Sequence, residues 1–200
     1  MNTNSETKTR ILNAATDLFS HYGYPKTSLD DIARAAQIAK ATIYYYFPSK
    51  EDIFLEALGN KAEELFVMLE RELDEAEGIE DKLSCYLRLP LRYIFEYMPI
   101  LADALNQIPQ PYLLRLEEYR PQYRQRMTAL FLGIIDYGRE QGLLAGEVDG
   151  PRLSELINDW FMLGDICFDR SDKDRIIRRI ERDYELIIHI LLFGIIKRKT

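Results

Sequence analysis

Apolar residues recur at three- and four-residue spacing along most of this chain, and the strict alternation that is typical of strands is absent. The first periodic stretch predicts a helix from about Ser5 to Tyr22. Gly23 and Pro25 follow it, and both are residues that end helices. The pattern therefore indicates an all-α protein from its first element onward.

Two short helices and one long helix are predicted next. Ser28 and Asp31 have the spacing of a capping box, so a helix is expected from Ser28 to about Ala36. A second short helix covers about Lys40–Tyr46. Ser49 and the acidic residues after it repeat the capping pattern, and they open a long helix that ends near Ala76.

Beyond Gly78 the chain predicts a larger helical region, interrupted by proline- and glycine-containing segments. Its candidate helices are 80–98, 100–107, 112–141, 151–169 and 172–197. The expected fold is a small three-helix head followed by a larger helical bundle. We place the head at residues 1–50, with a helix-turn-helix at about 28–47. The second domain is 51–200, with 51–76 as the connecting helix.

The charge of the chain is divided unevenly. The net charge of −7 argues against DNA binding by the chain as a whole, because DNA repels an acidic protein. Residues 1–50 nevertheless contain six Lys or Arg against four Asp or Glu, a net charge of +2, which leaves −9 on the remainder. A mildly basic head on an acidic body is typical of a DNA-contacting domain joined to a domain with another task.

Composition places the protein among ordinary globular chains, with 47% apolar and 30% charged residues. The N-terminus lacks an apolar signal segment, and the longest apolar run, 186–196, is about half of the roughly 20 residues that a bilayer span needs. Cys85 and Cys167 lie far apart without a ligand pattern. We therefore expect a soluble cytoplasmic protein with no metal, no cofactor and no membrane contact.

The predicted helix at 40–46 is richer in tyrosine than a helix that serves only as hydrophobic core needs to be. Its run of tyrosines, Tyr44 to Tyr46, cannot be buried on so short a helix without leaving hydroxyl groups in need of partners. At a DNA groove the hydroxyls can donate to phosphate oxygens while the rings touch sugars or thymine methyl groups. From the residues alone, a core role and a groove role stay open, with Tyr46 expected to pack inward.

The head resembles the TetR/AcrR family of bacterial transcriptional regulators over residues 8–55. The matching motifs follow in the family's order and spacing: Arg10-Ile11-Leu12 with Ala14-Ala15, Leu18-Phe19, Gly23-Tyr24 with Thr27-Ser28-Leu29, Asp31-Ile32-Ala33, Thr42-Ile43-Tyr44, Tyr46-Phe47 and Ser49-Lys50-Glu51. The resemblance implies that Thr27, Tyr44 and Lys50 hold phosphates and that residues 40–45 face base edges. The predicted DNA-binding residues are Thr27, Lys40, Ala41, Thr42, Tyr44, Tyr45 and Lys50.

Three positions depart from the family pattern. Gln37 stands where the family usually has a turn glycine, and a positive φ there costs a non-glycine residue about 1 kcal/mol. Ala39 replaces a serine that would cap the following helix, a loss of roughly 0.5–2 kcal/mol. Ala41 replaces a common glycine and favours the helix by up to about 1 kcal/mol.

The second domain is rich in aromatic residues and methionine, which indicates either plain core or a ligand cavity. Buried tyrosine hydroxyls need partners, and a polar ligand or water can supply them. TetR-like proteins usually bind a small molecule between the middle helices. By that resemblance the predicted effector-binding residues are Tyr93, Tyr97, Tyr123, Met127, Trp160 and Phe161.

The last two predicted helices are apolar on too many sides for one intramolecular contact, which indicates a self-associating surface. Two copies would form a four-helix contact, as the family does, and would set two recognition helices against two half-sites. The predicted dimer-interface residues are Trp160, Gly164, Ile180, Tyr184, Ile187, Ile188, Leu191 and Ile195.

The favoured function is a homodimeric DNA-binding transcriptional regulator, a repressor that a small-molecule effector releases from its operator. One alternative keeps the DNA-binding head but gives the second domain a protein partner. An enzyme is disfavoured, because no metal cluster, phosphate-binding glycine loop or nucleophile–histidine pair is recognisable by spacing. No catalytic residue is predicted.

Overall fold

The computed structural model describes residues 3–97, 109–118, 120–144 and 148–161, together with positions 186 and 194. The side chains of residues 3, 94–97, 110, 113, 116, 117, 120 and 159–161 are not included in this description. The regular elements of the described part are helices: α1 Thr3–Tyr22, α2 Leu29–Ala35, α3 Lys40–Tyr46, α4 Lys50–Glu75, α5 Ile79–Tyr97, α6 Gln110–Glu117, α7 Arg120–Glu140 and α8 Gly150–Phe161. The predicted all-α fold is confirmed.

The chain divides into two compact units. The first contains Met1–Leu65 and Ile94–Leu116, and the second contains Phe66–Tyr93 and Glu117–Thr200. The boundary that the sequence predicts after residue 50 lies inside the first unit. Among the helices described, none is both long and apolar enough to span a bilayer.

In the first unit, α1 packs against α2 and α2 against α3. Their shared core is fully or almost fully buried and consists of residues that the periodicity predicts: Ile11, Ala15, Phe19, Ile32, Ala33, Ile43 and Phe47. Leu18 and Leu29, apolar residues of α1 and α2, are only half-buried. The predicted Lys40–Tyr46 helix has the observed bounds of α3.

The predicted capping box at the start of α2 is confirmed. The Asp31 main-chain N–H donates to Ser28 Oγ at 3.2 Å, and the Ser28 N–H donates to Asp31 Oδ2 at 3.1 Å. Hydrogen bonds from Ser28 lower the pKa of the Asp31 carboxyl. These bonds satisfy two of the main-chain donors that a helix start leaves free.

The turn between α2 and α3 has a positive φ at Gln37, the geometry for which the sequence predicts an energetic cost. Gln37 adopts φ 54°, the left-handed region that favours glycine. Ala39 is the N-cap of α3, with φ −71° and ψ 144°, and its side chain makes no capping hydrogen bond. Both departures from the family pattern therefore have a structural cost in this turn.

Replacing Ala39 by serine is expected to stabilise the protein by roughly 0.5–2 kcal/mol, because the extended backbone of an N-cap lets a serine hydroxyl accept from the first turn of α3. Urea unfolding followed by far-ultraviolet circular dichroism measures the change. Ala41→Ser, an exposed position inside the same helix, is the matched control and should not stabilise. An unchanged midpoint for Ala39→Ser would show that α3 does not limit the stability of this unit.

In the second unit, α7 packs against α8. A buried polar group joins these two helices, because Ser154 Oγ donates to Thr128 Oγ1 at 3.1 Å and Asn158 Nδ2 donates to the same oxygen at 3.0 Å. Ser154 is 0% and Asn158 3% exposed. Such a contact fixes how the two helices are aligned along their length, because a shift of one helix would leave the buried donors without hydrogen-bond acceptors.

The prediction of one helix over 112–141 is wrong. The structure has α6, ending at Glu117, and α7, beginning at Arg120. Pro121 explains the break, because its ring lacks an N–H and would collide with the carbonyl four residues earlier if a helix continued through it. In the first turn of α7 neither problem arises.

Several predicted elements lie outside the described residues. These are the helices at 100–107 and 172–197 and the last part of the helix at 151–169. The predicted helix at 80–98 corresponds to α5, which continues through Pro90.

Candidate nucleic-acid interface

Helix α3 has one buried face and one exposed aromatic face. Ile43 is 0% exposed, whereas Tyr44 is 52% and Tyr45 76% exposed. Tyr46 is half-buried and packs edge-on against Tyr45, with ring centroids 5.0 Å apart. Two neighbouring tyrosines therefore project from a seven-residue helix whose opposite side is anchored in the core.

The start of α3 carries an ion pair to the preceding helix. Lys40 Nζ lies 2.7 Å from Asp30 Oδ2, and both side chains are largely exposed. The hydrogen bond to Asp30 raises the pKa of Lys40, so the lysine stays charged. Ala41 is exposed and Thr42 half-buried in the same helix. A phosphate could replace Asp30 as the partner of this ammonium with little loss, because exposed ion pairs are weak.

Thr27 faces the interior of the first unit. Its side chain is 3% exposed. Its hydroxyl lies 3.0 Å from the Gly23 carbonyl and 3.3 Å from the Leu18 carbonyl, and it donates to these main-chain acceptors. The hydroxyl proton therefore ties the start of α2 to the end of α1, and the phosphate contact that the resemblance implies stays a prediction.

Lys50 is half-buried at the first position of α4. Its ammonium donates to the Tyr24 carbonyl at 2.9 Å and to the Thr27 carbonyl at 3.0 Å, and it lies 4.1 Å from the centroid of the Tyr24 ring. Burial lowers the pKa of Lys50. The lysine therefore links α4 to the α1–α2 turn, and its predicted phosphate contact also stays a prediction.

The first turn of α4 carries two further contacts, both to residues distant in sequence. The Tyr24 hydroxyl donates to Glu51 Oε1 at 2.8 Å, and burial together with this carboxylate raises the pKa of Tyr24. Asp52 accepts from Ser49 and lies 2.5 Å from Arg115 of α6. Sequence spacing gives no signal for the contact with Arg115, because 63 residues separate the partners.

Replacing Lys50 by methionine is expected to lower the free energy of unfolding by about 1–3 kcal/mol, because two main-chain carbonyls lose a charged donor. Lys61→Met is the matched control, because within the described part of the chain Lys61, on the same helix, pairs with the exposed Glu64 in a surface contact worth less than about 1 kcal/mol. Thermal and urea unfolding measure both. Equal losses for the two variants would contradict a structural role for Lys50.

Three predicted effector residues have described side chains, and all lie in the second unit. Tyr93 and Met127 are buried, and Tyr123 packs against Phe66 with ring centroids 4.9 Å apart. Burial raises the pKa of Tyr123 to about 12. The neighbouring Tyr86, which the sequence does not single out as a ligand residue, donates its buried hydroxyl to the Met127 carbonyl at 3.2 Å.

The remaining predicted site residues lie outside the described side chains. For the effector site these are Tyr97, Trp160 and Phe161. For the dimer interface they are Trp160, Gly164, Ile180, Tyr184, Ile187, Ile188, Leu191 and Ile195.

Comparison with known proteins identifies the head. The family model "Bacterial regulatory proteins, tetR family" matches residues 11–57, which cover most of α1, all of α2 and α3, and the start of α4. The fatty acid metabolism regulator protein of Bacillus subtilis (strain 168) is 26% identical over 142 residues, which are 70% of this chain and 69% of that protein.

Solved structures share the fold. A transcriptional regulator from Cytophaga hutchinsonii ATCC 33406 superposes with a TM-score of 0.69 at 22% identity, over 94% of this chain and 97% of that one. The regulator FadR from Bacillus subtilis, solved in complex with stearoyl-CoA, superposes with a TM-score of 0.60 at 18% identity, over 93% and 98% of the two chains. Residues 11–57 therefore belong to the TetR family of bacterial regulatory proteins, and the fold of the whole chain is similar to that of solved transcriptional regulators.

Proposed function

We propose that this chain is a repressor that binds operator DNA through α3 and leaves it when a small molecule binds the second unit. The observation that carries the DNA-binding part is the exposure of Tyr44 and Tyr45 on a helix fixed from behind by Ile43. A major groove admits such a helix, and tyrosine offers it both a hydroxyl for phosphates and a ring for thymine methyl groups.

The positive charge of Lys40 at the start of α3 also supports DNA binding by this helix. Lys40 lies beside the exposed tyrosines and is paired only with the exposed Asp30 in the contacts described for it. Lys40, Ala41, Thr42, Tyr44 and Tyr45 are our proposed base- and phosphate-contacting residues. Thr27 and Lys50 support them from within, and a direct phosphate contact by either is part of the proposal.

Binding to DNA is tested by enriching duplexes from a randomised pool with the full-length chain and measuring Kd for the winner and for a scrambled duplex. We expect a preference for the winner of about 10³-fold or more, and an affinity that falls steeply with salt as counterions are released. Equal, weak binding to both duplexes at all salt concentrations would defeat the proposal.

The effector part rests on the second unit. Tyr86, Tyr93 and Tyr123 are buried or half-buried in that unit, and the FadR structure of similar fold holds stearoyl-CoA. We propose that Tyr93, Tyr123 and Met127 line the effector site together with Trp160 and Phe161 of the same unit. Release from DNA requires that the effector bind the two states with different affinity, commonly by about 1–3 kcal/mol.

Differential scanning fluorimetry against a metabolite panel that includes stearoyl-CoA tests this part. A compound that raises Tm should also weaken binding to the enriched duplex, and Met127→Ala should reduce both effects without unfolding the protein. A panel with no stabilising compound, together with a protein partner that displaces DNA, would favour the alternative in which the second domain binds a protein.

We also propose that the chain acts as a homodimer through its last two helices. A C2 dimer would place its two α3 helices on half-sites about one helical turn apart, roughly 34–36 Å. Sedimentation of the chain and the symmetry of the enriched duplex test this. A monomer that binds a single, non-repeated site would contradict it.

A further inference from the structure

We infer that Arg10 of α1 is a positioning residue for α3, because it holds the turn between α2 and α3. The inference rests on the proposed function, in which α3 contacts DNA. Arg10 lies on a different helix from the tyrosines, so its effect on DNA binding would pass through the turn.

The turn after α2 is a Schellman motif with glutamine at the position that usually holds glycine. Ile38 N–H donates to the Ala33 carbonyl at 3.0 Å, and Gln37 N–H donates to the Arg34 carbonyl at 3.2 Å. Gln37 itself has φ 54°. These two hydrogen bonds satisfy the carbonyls of Ala33 and Arg34. The carbonyls of Ala36 and Gln37, further along the turn, receive no main-chain hydrogen bond from α2.

Arg10 supplies the donor for both carbonyls. Its Nη2 donates to the Ala36 carbonyl at 2.5 Å and to the Gln37 carbonyl at 3.3 Å, across 26 and 27 residues of sequence. Ala36 is the C-cap of α2, and Gln37 is the residue with the strained φ. One side chain of α1 therefore fixes both residues at which the chain changes direction toward α3.

An arginine suits this place for two reasons. The C-terminus of a helix carries a partial negative charge, which a cation stabilises. A rigid guanidinium also loses less conformational freedom per hydrogen bond than the flexible ammonium of lysine. Together these contacts offset the cost of a left-handed glutamine, so the turn keeps one geometry without the family's glycine.

The test compares Arg10→Gln, Arg10→Lys and the double variant Arg10→Gln/Gln37→Gly on the enriched duplex and on its scrambled control. The matched control is Arg34→Gln, which removes the same charge from an exposed arginine in the last turn of α2. Kd for both duplexes is measured well below Tm, after circular dichroism has shown each variant to be folded. Amide exchange at Ile38 reports the turn directly.

For Arg10→Gln we expect Kd for the enriched duplex to rise about tenfold, while Kd for the scrambled duplex changes by less than about twofold, since a phosphate contact is not lost. Ile38 should exchange faster. Arg10→Lys should recover part of both losses, and adding Gln37→Gly should recover most of the affinity, because glycine adopts the turn without strain.

Wild-type affinity and unchanged Ile38 exchange in Arg10→Gln would overturn the inference. An equal loss on both duplexes, matched by Arg34→Gln, would also overturn it, because that is the signature of net charge alone. If the wild-type chain enriches no duplex, the proposed function fails, and the exchange of Ile38 still decides whether Arg10 holds the turn.

Discussion

Replacing Phe54 by alanine is expected to lower the free energy of unfolding by about 3–5 kcal/mol, the largest stability effect we expect in the first unit. Phe54 is 0% exposed. Its ring meets Phe19 and Tyr24 edge to face, with centroids 5.5 and 5.2 Å apart. The truncation would lose the burial of the ring, both aromatic contacts and the filling of the space between α1 and α4. Urea unfolding followed by circular dichroism measures the loss.

Val67→Ala is the matched control for this prediction. Val67 lies on the same helix but is 59% exposed, so its truncation should change stability by less than about 0.5 kcal/mol. Phe54→Leu, which refills part of the space, should lose less than Phe54→Ala. A Phe54→Ala variant as stable as Val67→Ala would mean that the aromatic cluster does not hold α1 to α4.

Local signals in the sequence were sufficient to predict the head. The capping box of Ser28 and Asp31 fixes the start of α2, and Pro48 disfavours a helical backbone at Phe47, where α3 ends. These features involve residues at most three positions apart, a range within which side chains and main chain interact regardless of the rest of the fold. The exposure of Tyr44 and Tyr45 follows from the same local periodicity.

Contacts between residues distant in sequence could not be predicted from it. Arg10, Lys50 and Arg115 resemble ordinary surface cations in the sequence, yet each donates to a group on another element. Only the packing of the helices decides which acceptor such a long side chain reaches. The family resemblance predicts a phosphate contact for Lys50, but it does not predict the hydrogen bonds that Lys50 donates to two main-chain carbonyls.

The wrong prediction of a single helix over 112–141, where the structure has α6 and α7, has a different cause. Pro121 was visible in the sequence, but apolar periodicity runs across it and favours one long helix. Proline is tolerated in the first turn of a helix and excluded from its interior, so a proline between two periodic stretches indicates a new helix start. A reading that ranks proline above periodicity at this position would have found both α6 and α7.

Replacing both Tyr44 and Tyr45 by alanine is expected to raise Kd for the enriched duplex about 100-fold, or ~2.7 kcal/mol. The two side chains are the most exposed large apolar groups of α3, so their removal should leave the fold intact and take away direct contacts. Each good base contact contributes about 1–3 kcal/mol of discrimination, so the preference over scrambled DNA should fall as well. Fluorescence anisotropy at two salt concentrations measures both quantities.

Tyr22→Ala is the matched control, because Tyr22 is 65% exposed at the end of α1 and lies outside α3. It should bind the enriched duplex as the wild type does. Tyr44→Phe separates hydroxyl from ring: if Tyr44 holds a phosphate, this variant should weaken binding to the enriched and scrambled duplexes alike. A double variant with wild-type Kd, or a Tyr22→Ala variant with the same loss, would place the DNA-contacting surface on some element other than α3.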